Sequence, residues 1–222
     1  MARCIGLEKS MVLTQPYSEQ IKIWPTSGRH ILAQFDAETI IVYQAYNAAI
    51  GRYAIEHGKF GNGFSSSRMT WIKPNFLWMM YRSDWGTKQN QEITLALRLR
   101  RSFFDLILSS AVSSTWNSQL YSNQEDWTRA ISTSSVRLQW DPDHDPKGAK
   151  VDRRAIQLGL RADMLESFAN RQLVEVIDMT AFVEEQRSML MSKKSFEGLS
   201  TPLERTYYPS DPMICSRLQV DR

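Results

Sequence analysis

Apolar, β-branched residues dominate two short runs, Ile31-Leu-Ala-Gln-Phe35 and Thr39-Ile-Ile-Val-Tyr43. Such runs predict two strands, and Asp36-Ala-Glu38 between them suits the tight connection of a hairpin. Asn47 is placed to cap a helix that runs through Glu56 and stops at Gly58. The second strand then delivers Gln44, Tyr46 and Asn47 to its C-terminal mouth. Residues 69–72 read as extended, and Pro74 suits the first turn of a short helix carrying Phe76, Leu77, Trp78, Met80 and Tyr81. Period-two alternation over 92–100 predicts a strand with Leu95, Leu97 and Leu99 on one face and Thr94, Ala96, Arg98 and Arg100 on the other. Ser102 is predicted to cap a helix to about Val112. A further helix is read over 124–131 and a strand over 136–140, ending at Asp141 and Pro142. After a polar connection at 143–148, strands over 155–160 and 173–178 alternate with helices over 162–170 and 181–191.

This mixture predicts an α+β fold: a mixed or mostly antiparallel sheet covered by helices, in a single domain over residues 1–222. Residues 1–28 read as an N-terminal extension, and residues from 192 onward, with Pro202, Pro209 and Pro212, as an irregular tail. Gly61-Asn-Gly-Phe-Ser-Ser-Ser67 has turn composition and no periodicity, which predicts a loop able to act as a lid. With 42% hydrophobic and 23% charged residues the chain can bury a core. Cys4 and Cys215 lie near opposite ends, a spacing that suits neither a disulfide framework nor a metal site and points to a reducing, cytoplasmic setting. The first residues lack the uninterrupted apolar run of a secretory leader, and no apolar stretch approaches the ~20 residues needed to cross a bilayer.

The net charge of +3 hides an uneven distribution. Between Gln44 and Arg101 stand nine Lys or Arg (Arg52, Lys59, Arg68, Lys73, Arg82, Lys88, Arg98, Arg100 and Arg101) against three acids (Glu56, Asp84 and Glu92). Interleaved with them are Trp71, Trp78, Tyr81 and Trp85, the combination that phosphate neutralisation and base stacking require. A solvated basic face beside core aromatics accounts for the same residues. Burying Arg68, Lys73, Arg82 and Ser83 among aromatics is costly without a partner, and a phosphate or carboxylate would offset that cost. Phosphate loops, dinucleotide fingerprints, nucleophile elbows and zinc spacings are absent from the sequence, so neither a metal nor a cofactor is implied. The three histidines are isolated; His144, among Asp141, Asp143 and Asp145, is set either to have a raised pKa or to bind a cation, or simply to sit in an acidic turn.

Three blocks carry a resemblance: Thr39-Ile-Ile-Val-Tyr-Gln-Ala-Tyr-Asn47, Arg68-Met-Thr-Trp-Ile-Lys-Pro-Asn-Phe-Leu-Trp-Met-Met-Tyr-Arg-Ser-Asp-Trp85 and Val136-Arg-Leu-Gln-Trp-Asp-Pro142. They resemble a domain family of fungi and bacteria, long of unknown function, that includes the fungal arginine-containing cyclodipeptide synthases. The resemblance runs from about Arg29 to Thr180. It implies an enzyme that takes arginine and a second amino acid from aminoacyl-tRNAs and releases a diketopiperazine. Such an enzyme needs cations for phosphates, a carboxylate for guanidinium and a group that accepts or positions the aminoacyl ester. Arg68, Lys73, Arg82, Lys88, Arg98, Arg100 and Arg101 are the tRNA-binding candidates, and Asp36, Glu38 and Asp141 the guanidinium candidates. Gln44, Asn47, Trp71 and Trp78 complete the expected substrate site. Ser83 is the candidate nucleophile, with Tyr46, Tyr81 or Tyr43 for proton transfer or positioning. Positioning two activated esters without a covalent intermediate would serve as well. Two other readings compete. An ADP-ribosyltransferase-like enzyme would use Tyr46, Arg68 and Glu92, and a non-catalytic RNA-binding module would use the same basic and aromatic residues merely to stack bases.

Overall fold

The computed structural model describes residues 12–61, 63–193 and 195–221. In chain order the elements are β1 (Thr14–Pro16), α1 (Tyr17–Gln20), β2 (Gly28–Arg29), β3 (Ile31–Ala33), β4 (Thr39–Tyr46), α2 (Ala48–His57), β5 (Thr70–Ile72) and α3 (Phe76–Ser83). They continue with β6 (Ile93–Arg100), α4 (Arg101–Ser110), β7 (Ala111–Ser113), α5 (Gln124–Thr133), β8 (Val136–His144), β9 (Lys150–Leu160) and α6 (Ala162–Ser167), which passes into a π-helical turn at Phe168–Gln172. The chain ends in β10 (Leu173–Asp178), α7 (Thr180–Ser192), β11 (Ser200–Pro202), β12 (Arg205–Tyr207) and α8 (Pro212–Leu218). It is a single α+β domain with mixed and antiparallel sheets.

One sheet has the order β10-β6-β4, all antiparallel, with β4 and β6 in unbroken register from Thr39↔Arg100 to Tyr46↔Ile93. A second, five-stranded sheet joins β2, β9, β8 and β7, with β5 added antiparallel to β9; its β2–β9 and β7–β8 pairs are parallel. The continuous apolar run of β4 is explained by burial on both faces. Ile40 and Val42 enter one core cluster with Leu95, Leu97, Leu99 and the apolar side of α4, while Ile41 and Tyr43 enter a second with Ala96 and α3. Helices thus cover both faces of this sheet. Each fully buried aliphatic side chain stabilises the fold by about 1.5–3 kcal/mol, so truncating Ile41 to Ala opens a cavity costing about 2–5 kcal/mol.

Local signals set several boundaries. Asn47 accepts a hydrogen bond from Ile50 N (3.0 Å) at the start of α2, and Gly58 ends it in the left-handed region at φ 65°. Asn75 caps α3, accepting from Trp78 N at 2.7 Å, so Pro74 lies just before the cap rather than in the first turn. Ser102 does not cap α4, because β6 passes directly into the helix at Arg101, whose N–H is taken by the Glu38 carbonyl at 2.8 Å. The expected hairpin survives only as a tight turn at Asp36–Thr39 and one bridge, Phe35↔Ile40. β3 instead pairs with β12.

The largest departure is the region expected to be an irregular tail. It contributes β11, β12 and α8, and it buries Leu199, Glu204, Tyr207, Ile214 and Leu218. The described part of the expected N-terminal extension is built in as well: β1 pairs with β11, and Val12, Tyr17 and Trp24 are buried. Residues 1–11, including Cys4, lie outside the described residues. Among the described residues no helix is long and apolar enough to cross a membrane.

Candidate active site

β5 adds to β9 so that Trp71 faces Gly159 and Ile72 faces Leu158, and alternation then puts Lys73 beside Gln157 on the face opposite the core. On that face β8 presents Gln139 and Asp141, since Leu138 points into the core. Gly159 makes room for the aromatic layer: a Cβ there would lie 2.5 Å from Met69 Sδ and 3.1 Å from Trp71 Cε2. The result is a cavity of about 380 Å³ lined by Gln44, Tyr46, Thr70, Trp71, Lys73 and Arg82 together with Gln139 and Gln157.

Two hydrogen-bonded chains organise it. Gln44 Nε2 donates to Thr70 Oγ1 (2.7 Å) and to the Trp71 carbonyl (3.1 Å), and the Tyr46 hydroxyl meets the same Thr70 Oγ1 at 3.0 Å. Because a carbonyl can only accept, the amide of Gln44 is oriented without ambiguity. Its Oε1 is left buried without a hydrogen-bond partner among the described residues. In the second chain Gln157 Nε2 donates to Gln139 Oε1 (2.8 Å) and to the Asp141 carboxylate (2.7 Å).

Lys73 lines the same cavity, 6% exposed, with its Nζ donating to the Trp71 carbonyl at 3.3 Å. Burial brings its pKa down to about 7; the Arg82 guanidinium pushes the same way and Asp141 opposes. A large fraction of this amine is therefore neutral at physiological pH. Burial has the opposite effect on the Tyr46 phenol, whose pKa is raised despite hydrogen bonds with Thr70 and Gln44, so it keeps its proton. A neutral amine and a protonated phenol thus line one cavity, a pairing suited to moving protons.

Of the residues singled out from the sequence, Gln44, Tyr46, Trp71, Lys73 and Arg82 line this cavity, and Asp141 reaches its edge through Gln157. Asn47 follows Tyr46 directly, but its side chain is used as the α2 cap. Arg68 is exposed two residues before β5. Phe64, in the loop expected as a lid, stacks on Phe60 at 4.4 Å and meets Tyr46 edge-on at 6.1 Å. Tyr81 and Lys88 line a second, larger cavity that shares Arg82 with the first, and Trp78 is buried behind Tyr81.

Other residues are not brought to the site. Ser83 is fully buried, its hydroxyl donating to the Met79 carbonyl (3.0 Å) and accepting from Gly86 N (3.3 Å), so it closes the end of α3 rather than facing either cavity. Asp36 accepts from the backbone N–H of Glu38 and Thr39 and from the Thr39 hydroxyl, which makes it a turn residue. Arg98 pairs with Glu175 at 3.0 Å, and Arg101 packs over Phe35 and Tyr207. Asp36, Glu38, Arg98, Arg100 and Arg101 gather at the Thr39↔Arg100 end of the sheet, and the cavity at the Tyr46↔Ile93 end. Seven residues of strand at about 3.3 Å each separate the two ends. His144 is buried rather than in an acidic turn, and burial lowers its pKa although Asp143 opposes. Among the described residues no cluster of His, Cys, Asp and Glu could hold a metal.

Sequence reasoning missed Thr70, Gln139 and Gln157, and it treated Lys73 only as a phosphate contact. The two glutamines had a signal: each is a polar position in an otherwise apolar alternation, Val136-Arg-Leu-Gln139 and Ile156-Gln-Leu158. No curated protein matches the chain. The family model described as "Domain of unknown function (DUF4291)" matches residues 30–207, which contain every element that builds the cavity. The chain therefore belongs to the DUF4291 family.

Proposed function

We propose that this chain is an aminoacyl-tRNA-dependent cyclodipeptide synthase that joins arginine to a second amino acid as a diketopiperazine. The observation that carries the reading is Lys73, a buried amine with a pKa near 7 in a cavity of about 380 Å³, the size of small-molecule sites. The resemblance of the blocks at 39–47, 68–85 and 136–142 to arginine-containing cyclodipeptide synthases supplies the substrate class.

Forming a diketopiperazine from two aminoacyl esters needs proton transfer and positioning, with no oxidant or added energy source. The amine of one aminoacyl group attacks the ester carbonyl of the other; a C–N bond forms, the C–O bond breaks, and one tRNA leaves through its ribose oxygen. The remaining free amine then attacks its own ester carbonyl, closes the ring and releases the second tRNA. At each step a proton leaves the attacking nitrogen and one must reach the departing oxygen. Neutral Lys73 is suited to take the first, and protonated Tyr46, held by Thr70, to supply the second. Lys73 acts as base rather than nucleophile, because an amide formed on it would be a dead end. Asp141, held by Gln157, is the carboxylate for the guanidinium, while Arg82 and Lys88 meet phosphate.

Purified protein supplied with tRNA, synthetases, ATP, arginine and the other amino acids should release an arginine-containing cyclic dipeptide detectable by mass spectrometry, and RNase should abolish it. No product in the presence of well-charged arginyl-tRNA sinks the reading.

A further inference from the structure

The cavity of about 740 Å³ beyond Arg82 has features that the chemistry at Lys73 does not require. Its wall carries Tyr81, 42% exposed, whose ring lies 3.5 Å from that of His144 with an 11° interplanar angle. Trp78 is nearly parallel to both, 5.4 Å from each. Both ring nitrogens of His144 and Nε1 of Trp78 are buried without a hydrogen-bond partner among the described residues. Unpaired buried polar atoms are costly, so this stack of flat rings carries a penalty at its polar edges. The rings give Tyr81 a rigid backing.

Around this platform Arg82, Lys88, Lys147 and Arg187 outnumber Asp84 and Asp145. Asp84 and Trp85, which line the cavity, belong to a strained turn in which Asp84, Trp85 and Gly86 all have positive φ (50°, 51° and 75°). Trp85 Nε1 pins that turn to the Pro146 carbonyl at 3.0 Å, and Arg187 donates to the Trp85 carbonyl at 3.1 Å. A supported aromatic ring among cations is the chemistry of single-stranded nucleic-acid binding: stacking for a base, charge for the phosphates.

We propose that this larger cavity seats the unpaired 3′ end of the RNA that carries the aminoacyl group, its terminal base on Tyr81 and its phosphates facing Arg82, Lys88 and Arg187. The assignment rests on the reading above in taking a charged RNA as substrate. Arg82 lines both cavities, so an RNA end seated on Tyr81 would present its ester to the compartment of Lys73.

The test uses the full chain and a fluorescently labelled, uncharged single-stranded RNA ending in CCA, followed by anisotropy. Tyr81→Ala should weaken binding about tenfold or more, Tyr81→Phe should restore it, and Arg187→Gln should flatten its dependence on salt. No binding by the parent protein, or equal binding by Tyr81→Ala, overturns the proposal. Cyclic dipeptide synthesis with an unchanged KM for charged tRNA in Tyr81→Ala overturns this subsite and leaves the synthase reading standing. RNA binding that depends on Tyr81, without cyclic dipeptide from the parent protein, supports the subsite and removes the synthase reading.

Discussion

Tyr43 and Lys73 exchange both of their backbone hydrogen bonds, Tyr43 N donating to Lys73 O at 2.7 Å and Lys73 N to Tyr43 O at 3.2 Å. This bridge ties β4 to the residue after β5 and so joins the two sheets at the point where the amine enters its cavity. Tyr43 is fully buried against Phe76, which leaves the Lys73 backbone little freedom to carry its side chain into water. The depressed pKa of Lys73 is thus a property of how the sheets meet.

That placement has a measurable cost. The folded amine gives up its proton near pH 7, whereas the unfolded one keeps it to the ordinary lysine range, so between these limits the unfolded state binds more protons. Stability should rise with pH across that window, by about 1.4 kcal/mol per pH unit at most, and the burial penalty should be fully present below it. Lys73→Met removes the penalty. In urea titrations from pH 7.5 to 9.5 the parent protein should gain on the variant; parallel curves would show that the amine is not desolvated.

Activity should depend on the same group. In the cyclic dipeptide assay kcat/KM should climb as pH rises through about 7, and Lys73→Met should lose about 10²- to 10⁴-fold. Lys73→Arg should not rescue it, since a guanidinium keeps its proton. Full activity in Lys73→Arg would remove the base role.

What could be read from the sequence was what depends on neighbours along the chain. Asn47 and Gly58 bracket α2 through contacts within one turn, and residues 173–178 form β10 as their pattern predicts. The C-terminal region gave no such signal, because β11 and β12 have three residues each and owe their shape to β1 and β3, more than 170 residues earlier. The site was half legible. Gln44 and Tyr46 stood out at the mouth of a strand and Trp71 as an aromatic among cations, but a lysine in a sequence reads as charged. Only the fold shows Lys73 buried, and only the β4–β6 register parts the basic residues between two ends of a sheet.

Ser83 offers a clean contrast with Lys73. Its hydroxyl is consumed by the end of α3, so Ser83→Ala should cost about 1–3 kcal/mol of stability through the unpaired Gly86 N–H, yet leave kcat near the parent value. A loss of kcat in a folded variant, or an aminoacyl group found on Ser83 by mass spectrometry, would restore it as nucleophile.

The division of the basic segment predicts unequal effects on tRNA. Arg82→Gln and Lys88→Gln should each weaken binding and reduce the slope of log K against log salt by about 0.7–0.9 for every phosphate no longer neutralised. Arg100→Gln, exposed at the far end of β6, should do neither. Arg82→Gln should also move the activity profile to higher pH, because Arg82 helps to hold the Lys73 amine neutral. Equal slopes for all three variants would mean that the tRNA lies along the whole sheet.

Glu204 tests whether the C-terminal region supports the site. Its buried carboxyl accepts from Phe76 N (2.7 Å) and from Asn75 Nδ2 (3.2 Å), so a residue between β11 and β12 holds the start of α3, the helix that carries Tyr81 and Arg82. Burial raises its pKa well above the carboxylate range; the Phe76 N–H opposes, Asp143 adds and Arg153 opposes. The native state then holds a proton that the unfolded state releases, so this group's contribution to stability falls as pH rises above the usual carboxylate range. Glu204→Gln should remove that decline at a cost of about 1 kcal/mol, since a neutral amide keeps an acceptor for Phe76 N. Glu204→Ala should instead lose about 2–5 kcal/mol, because both donors are left unpaired beside a new cavity. Equal melting temperatures for the two variants across pH 5–8 would mean that the start of α3 is held by Asn75 alone.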